Sequence, residues 1–195
     1  MRRIALVLAA LAALAAGQAA TVPVSAQGGW VTLFDGTTTA NFTQLGDANW
    51  RIEDFAARAT EGGGYLVTRD SYGDFDLTLE FWVSPDANSG VFIRASDPAE
   101  ITAANSYEVN IFDSRPDPTY RTGGIVNLAA PSEVIMTGNR WNTFQIIARG
   151  PEISVILNGR LVVDAVRDEQ FTAGPIAFQY GQGDVRFRNI RIRPL

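Results

Sequence analysis

The stretch DFDLTLEFWVSPDANSGVFIR, residues 74–94, consists of two apolar runs on either side of a segment rich in turn-forming residues. Runs of β-branched and aromatic residues around such a segment are typical of two β-strands. Charged residues interrupt both runs, notably Glu80 in the first and Arg94 in the second. Because an ionised side chain is costly to bury without a partner, these two residues either face water or belong to a shielded polar site.

The same pattern continues along the rest of the chain. Short runs of β-branched and aromatic residues are bounded by Gly, Pro, Asn and Asp, and no long stretch has helical periodicity after the N-terminal region. This pattern predicts an all-β chain with two packed antiparallel sheets. The predicted strands are residues 30–34, 50–52, 65–68, 75–83, 91–95, 107–112, 124–128, 141–149, 152–157, 161–164, 175–180 and 185–192.

Two local features are predicted in more detail. Asn158-Gly159 separates two apolar runs, and this pair suits a tight hairpin because both of its residues tolerate positive φ. Near the C-terminus, apolar residues alternate with arginine, but the alternation slips between Phe187 and Ile190. A β-bulge near Asn189 would explain that slip.

The first 26 residues have the pattern of a secretory signal peptide. Arg2 and Arg3 precede an apolar run over residues 4–16, and Val24-Ser25-Ala26 fits a small-residue cleavage site. We therefore expect a signal peptide at residues 1–26, one domain at residues 27–195, and a periplasmic or secreted location without a membrane anchor.

Composition excludes several kinds of chemistry. The chain contains no cysteine and no histidine, and all 16 of its basic residues are arginine. Cysteine nucleophiles, histidine-dependent triads, histidine-ligated zinc and Schiff-base lysines are therefore excluded. Acid–base work falls to carboxylates, tyrosine or bound water. A net charge of −5 also disfavours nucleic acid and anionic membranes as partners.

Alternation within the predicted strands indicates a polar face. In the first quoted run Glu80 and Trp82 share one side of the strand, opposite an apolar triplet. If the strands are neighbours in one sheet, the residues that converge are Glu80, Trp82, Phe92, Arg94, Glu108, Asn110 and Gln179. Aromatic rings mixed with hydrogen-bonding groups suit a sugar ligand. The alternative is an ordinary solvated sheet face with a surface ion pair.

A second candidate is the loop that contains Asp113 and Asp117. Two carboxylates in an Asp-Ser-Arg-Pro-Asp segment supply the oxygen ligands that calcium prefers, although solvated loop carboxylates are the alternative. The sequence requires no cofactor, and a divalent cation such as calcium is the only one for which it offers candidate ligands.

The order of motifs over some 160 residues resembles the 3-keto-disaccharide hydrolase family, which has a concanavalin A-like jelly-roll fold. The segments that carry the resemblance are residues 33–36, 72–77, 80–81, 88–90, 93–94, 107–109, 113, 123–125, 141–142, 158–159, 174–176, 179 and 187–190. The resemblance implies a concanavalin A-like, two-sheet antiparallel jelly-roll sandwich.

The resemblance also implies an activity on glycosides whose glucose unit is oxidised at C3. Glu80 or Glu108 would remove the C2 proton, and Arg94 would stabilise the enolate before the C1 substituent leaves. Hydration would complete the hydrolysis. Side chains that would contact the substrate are Trp82, Phe92, Asn110, Asp113 and Gln179.

The chain departs from the family pattern at two places. It has Asn110 where active members often carry glutamine, and Tyr180-Gly181-Gln182 where they often carry a histidine. A non-catalytic carbohydrate-binding module is therefore the alternative. A conventional β-glucanase with Asp76 and Glu80 as paired carboxylates ranks third, because a regular strand separates their Cα atoms by ~13 Å.

Overall fold

The computed structural model describes residues 29–195. The predicted signal peptide and the N-terminal boundary of the predicted domain lie outside the described residues. Within residues 29–195, no helix is long and apolar enough to cross a membrane.

The described chain is built almost entirely of β-strands, with one short 3₁₀ helix at Pro118–Tyr120. The strands are β1 (Val31–Phe34), β2 (Phe42–Gly46), β3 (Arg51–Glu53), β4 (Ala56–Ala59), β5 (Gly64–Thr68), β6 (Phe75–Val83), β7 (Ser89–Ile93), β8 (Tyr107–Ile111), β9 (Trp141–Arg149), β10 (Glu152–Leu157), β11 (Arg160–Arg167), β12 (Ala177–Tyr180) and β13 (Val185–Pro194).

These strands form two antiparallel sheets. Sheet A has the order β11-β10-β9-β6-β13-β4-β3, with β1 also paired to β13, and sheet B has the order β2-β5-β12-β7-β8. The predicted two-sheet antiparallel jelly-roll sandwich is confirmed.

The core lies between the two sheets because each central strand turns its apolar residues inward. In β6, Leu77, Leu79 and Phe81 are buried, as the alternation predicts. Across the interface, the rings of Phe178 from sheet B and Phe187 from sheet A meet edge to face with centroids 5.4 Å apart.

The local predictions near the C-terminal half are confirmed. Asn158 and Gly159 connect β10 to β11 with φ angles of 52° and 77°. In β13 the register with β6 shifts between Arg188 and Arg191, and Asn189 has a φ of 51°. This is the predicted bulge.

Three parts of the strand assignment were wrong. Residues 124–128 form a turn in which Ile125 makes only isolated bridges to Val109 and Ala129, because Asn127 has positive φ. β2 lacks regular alternation, and β4 (AARA) lacks β-branched residues, so both were missed. A turn with positive φ at Asp54 and Phe55 nevertheless pairs β4 with β3.

Candidate functional site

The structure separates Glu80 from Glu108. Glu80 lies on β6 in sheet A and Glu108 on β8 in sheet B, so the predicted convergence of one polar face does not occur. The reason is that residues 84–88 carry the chain from one sheet to the other instead of closing a hairpin. The alternation of side chains along each strand was predicted correctly, but the two strands belong to opposite sheets.

Glu80 is held in an ion pair on the outer face of sheet A. Arg188 Nε donates to its Oε2 at 2.8 Å, and Asn189 Nδ2 donates to its Oε1 at 2.7 Å. On the same face the Arg186 guanidinium stacks on Trp82, with its Cζ atom 4.7 Å from the centroid of the ring. Neither Glu80 nor Trp82 can reach Glu108.

The β-glucanase alternative has no support in this arrangement. Asp76 is buried and accepts hydrogen bonds from Arg193 at 2.8 Å and Gln145 at 2.9 Å. A groove of about 490 Å³ passes Glu80, but both carboxylates are already neutralised by arginine. Sheet A therefore provides a groove without a carboxylate that is free to react.

Arg94 serves the fold instead of a substrate. It follows β7 with a φ of 53°, and this turns its side chain away from the sheet face to a position where it is only 1% exposed. Its guanidinium donates to Gly73 O at 2.9 Å, Gly150 O at 2.8 Å and Asp74 Oδ1 at 3.0 Å. Because these acceptors engage it and it is not on the same face as Glu108, it cannot be the predicted enolate stabiliser.

The outer face of sheet B, by contrast, does bring together three predicted residues. Glu108 pairs with Phe92, and Asn110 pairs with Gly90, across β7 and β8. The register of β12 against β7 then places Gln179 beside Gly90, and the Ser89 hydroxyl donates to the Gln179 carbonyl at 2.7 Å. Glu108, Asn110 and Gln179 thus share one face.

Glu108 is the electrostatically unusual residue of this face. Burial raises its pKa to about 7, and the nearby charge of Arg115 only partly opposes the shift. It takes part in none of the side-chain hydrogen bonds or ion pairs found among residues 29–195. A carboxyl group that is half-buried, unpaired and close to half-ionised at neutral pH is suited to proton transfer.

Gly90 makes the room that Glu108 occupies. A Cβ atom at Gly90 would lie 3.2 Å from Glu108 Oε1 and 3.3 Å from Glu108 Cγ. The carboxyl group therefore lies over a position without a side chain, next to Gln179 and Asn110.

Gln179 contributes a polar atom without a partner. Its Oε1 is buried and accepts no hydrogen bond from residues 29–195. Leaving a buried acceptor unpaired costs free energy, so such an atom is a candidate contact for a ligand. This unpaired oxygen is the second observation, after the raised pKa of Glu108, that marks the outer face of sheet B as a candidate binding site.

Phe92, Asn110 and Asp113 have structural contacts instead of open faces. Phe92 is 2% exposed and packs edge to face on Tyr65 at 5.4 Å, so it is not a platform for a sugar ring. The buried Asn110 donates from Nδ2 to the backbone oxygen of Tyr120 and so fixes the loop beside the site.

Asp113 is buried among hydrogen-bond donors. It accepts from the hydroxyls of Thr122 at 2.6 Å and Thr137 at 2.8 Å, and from Gly138 N at 2.9 Å. Asp117 caps the 3₁₀ helix by accepting from Thr119 N at 2.9 Å. Within residues 29–195 no group of three or more Asp, Glu, His or Cys side chains could hold a metal ion. Asp113 thus tethers two loops, and the structure does not place it in a substrate site.

Two residues near Glu108 escaped prediction. Tyr65 lies next to Gln179 in the register of β5 and β12, and it was predicted to be in a strand, so alternation along β5 could have revealed its face. Arg115 lies in the loop after β8, with its guanidinium 5.4 Å from the ring of Phe112 and 5.5 Å from the ring of Tyr120. No sequence pattern places a loop residue beside a particular strand.

Comparison with known proteins agrees with this fold and confirms the family resemblance that the sequence motifs predicted. The sequence pattern of the 3-keto-alpha-glucoside-1,2-lyase-like domain matches residues 29–193. No curated protein is similar enough in sequence to count as a match.

Solved structures with the same fold include two provisionally assigned glycosyl hydrolases and a carbohydrate-binding module. Two proteins of Parabacteroides distasonis, provisionally assigned as glycosyl hydrolases, align over 86% of this chain. The first is 18% identical to this chain, is aligned over 94% of its own length and has a TM-score of 0.77. The second is 27% identical, is aligned over 100% of its own length and has a TM-score of 0.72. The carbohydrate-binding module CBM66 of Bacillus subtilis aligns over 78% of this chain and 95% of its own, with 18% identity and a TM-score of 0.61.

Proposed function

Because the chain belongs to the family of 3-keto-alpha-glucoside-1,2-lyase-like domains, we propose that it cleaves glycosides whose glucose unit carries a ketone at C3. The observation that supports this proposal best is Glu108. It is half-buried, lies beside an unpaired amide oxygen, and has a pKa raised to about 7. That is the property required of a general base at neutral pH.

In the proposed first step, the Glu108 carboxylate takes the proton from C2. The C3 ketone makes this proton acidic, because the electron pair of the C2–H bond can move onto the ketone oxygen as an enolate. The enolate then reforms the ketone, a double bond forms between C1 and C2, and the C1–O bond breaks. The departing oxygen receives a proton, for which protonated Glu108 is a source.

Water completes the reaction in the opposite sense. Its oxygen adds to C1 and a proton returns to C2, so that the net result is hydrolysis to the 3-keto sugar and the free aglycone. A group with a pKa of about 7 is present in both protonation states at neutral pH and can act in both directions.

Other side chains around Glu108 have supporting roles in this proposal. Arg115 is the cation whose charge acts on Glu108, and we assign to it the stabilisation of enolate charge that Arg94 cannot provide. Gln179 Oε1 is free to accept a sugar hydroxyl. The predicted signal peptide further leads us to propose that the protein acts in the periplasm or outside the cell.

Turnover of a 3-keto-glucoside by purified protein tests the proposal. General-base catalysis contributes typically about 10²–10⁴-fold, so Glu108→Gln should lower kcat/KM by that amount. The matched control is Glu80→Gln, which makes the same change on the opposite sheet and should leave kcat/KM within about twofold.

Two outcomes would contradict the proposal. Equal turnover by the Glu108→Gln variant and the wild-type protein would exclude the assigned base. Saturable sugar binding by the wild-type protein without any product would favour the alternative function, a non-catalytic carbohydrate-binding module.

A further inference from the structure

Tyr65 occupies a position from which it can control Gln179. Tyr65 on β5 and Gln179 on β12 are directly paired across the two strands, so their side chains emerge side by side on the outer face of sheet B. The Tyr65 hydroxyl donates a hydrogen bond to the backbone oxygen of Ile101 at 2.9 Å. Its proton is therefore already committed, and only its oxygen remains available as an acceptor.

Gln179 is the residue paired with Tyr65 across the strands, and the only group of its side chain that can donate to an oxygen limited to accepting is the NH₂. Burial raises the pKa of Tyr65, and the adjacent Gln179 side chain opposes this rise, as a donor to the phenolic oxygen would. A glutamine whose NH₂ group faces Tyr65 must direct its oxygen elsewhere. That oxygen is the buried atom without a partner.

Ile101 fixes the other end of this arrangement. Its side chain is buried in a small apolar cluster on the outer face of sheet B with Phe92 and Ala177. The loop that carries Ile101 is thereby packed onto the sheet, and its backbone oxygen is held in place for the Tyr65 hydroxyl.

From these contacts we propose that Tyr65 is a positioning residue, which orients the Gln179 amide so that its oxygen accepts a hydroxyl group of the bound sugar. The proposed order of donors is Gln179 to Tyr65, followed by the observed bond from Tyr65 to Ile101, and it leaves the Gln179 oxygen as an open acceptor on the face that carries Glu108. This inference rests on the proposed function, because it assigns a specificity role within the same site.

The experiment compares the Tyr65→Phe variant with the wild-type protein on three compounds, a 3-keto-glucoside and its 4-deoxy and 6-deoxy analogues. Loss of one neutral hydrogen bond corresponds to about a tenfold change, so at least one analogue should show that loss of kcat/KM with wild-type protein. With Tyr65→Phe the parent compound should lose about tenfold, mainly through a higher KM, and the penalty for the same analogue should fall below about threefold.

Tyr180→Phe is the matched control. Tyr180 neighbours Gln179 in sequence, but its side chain is buried in the core and its hydroxyl donates to Gly183 O at 3.0 Å. This variant should keep the full penalty for the deoxy analogue. A purely structural effect of Tyr65→Phe would instead lower turnover of all three compounds equally.

The inference is overturned if neither analogue is penalised with wild-type protein, or if Tyr65→Phe leaves the penalty unchanged. Failure of the proposed function gives a different result, namely that wild-type protein does not turn over the parent compound. In that case the dissociation constants of the same three compounds, measured by calorimetry, test Tyr65 in the same way without a chemical step.

Discussion

Glu108 is a residue whose charge works against folding. Burial raises its pKa from 4.5 to about 7, so between these values the folded protein binds more protons than the unfolded chain. The free energy of unfolding therefore falls as the pH rises from about 4.5 to about 7, and the loss is complete above that range. A carboxylate kept at such a cost, with no ion-pair partner among the described residues, is more readily explained by function than by stability.

Replacing Glu108 by glutamine should make the protein more stable in alkaline solution. At about pH 8 the Glu108→Gln variant should gain on the order of 1–3 kcal/mol in the free energy of unfolding, because the neutral amide carries no desolvated charge. Denaturant unfolding at several pH values measures this gain, which should shrink towards about pH 5.

Glu80→Gln provides the comparison, since Glu80 is paired with Arg188. That variant should show no such gain at alkaline pH. An advantage of Glu108→Gln that is the same at every pH would mean that packing, and not the buried charge, causes it.

At the scale of single elements, the chain was predictable wherever a local rule determines the backbone. The limits of β6 and β9 match the predicted strands, because long alternating runs leave only one way to bury their apolar residues. The bulge at Asn189 was predictable for the same reason, since a slip in alternation must be absorbed by the backbone. β4 was not, because AARA has no β preference and becomes a strand only through its neighbours.

The turn between β10 and β11 allows a test of one such local rule. Gly159 has a φ of 77° and a Cβ atom there would meet nothing within 4 Å, so the cost of alanine is conformational only. We expect Gly159→Ala to lower the free energy of unfolding by about 1 kcal/mol. Gly63→Ala is the control, because a Cβ atom would again meet nothing within 4 Å and Gly63 is not among the residues with positive φ. Equal losses in the two variants, measured by denaturant unfolding, would show that the backbone angle is not the cause.

At the scale of the whole molecule, strand order determines which residues meet. The alternation of polar and apolar residues correctly placed Glu80 and Glu108 on polar faces. It did not show that β6 and β8 lie in different sheets. The long-range pairing of β12 with β5 and β7 brings Gln179 and Tyr65 next to Glu108, and no local pattern specifies it. Glu108, Asn110 and Gln179 were therefore predictable from the sequence. Their assembly with Tyr65 and Arg115 into one site was not.

A local backbone angle, and not strand order, explains why Arg94 lies away from the candidate site. Its motif follows β7 closely, but one residue with positive φ turns the side chain out of the sheet and into contact with distant loops. In the proposed mechanism the cation of the site is instead Arg115, which lies in the loop after β8 and whose charge acts on Glu108.

The pH dependence of kcat/KM for a 3-keto-glucoside tests the central claim, that Glu108 is the base, most directly. Because kcat/KM reports ionisations of the free enzyme, wild-type activity should rise with pH to a plateau, with a midpoint at the Glu108 pKa of about 7. The Glu108→Gln variant should have a much lower kcat/KM without this rise. A rising limb with the same midpoint in Glu108→Gln, or a wild-type profile that is flat between about pH 5 and about pH 9, would contradict the account.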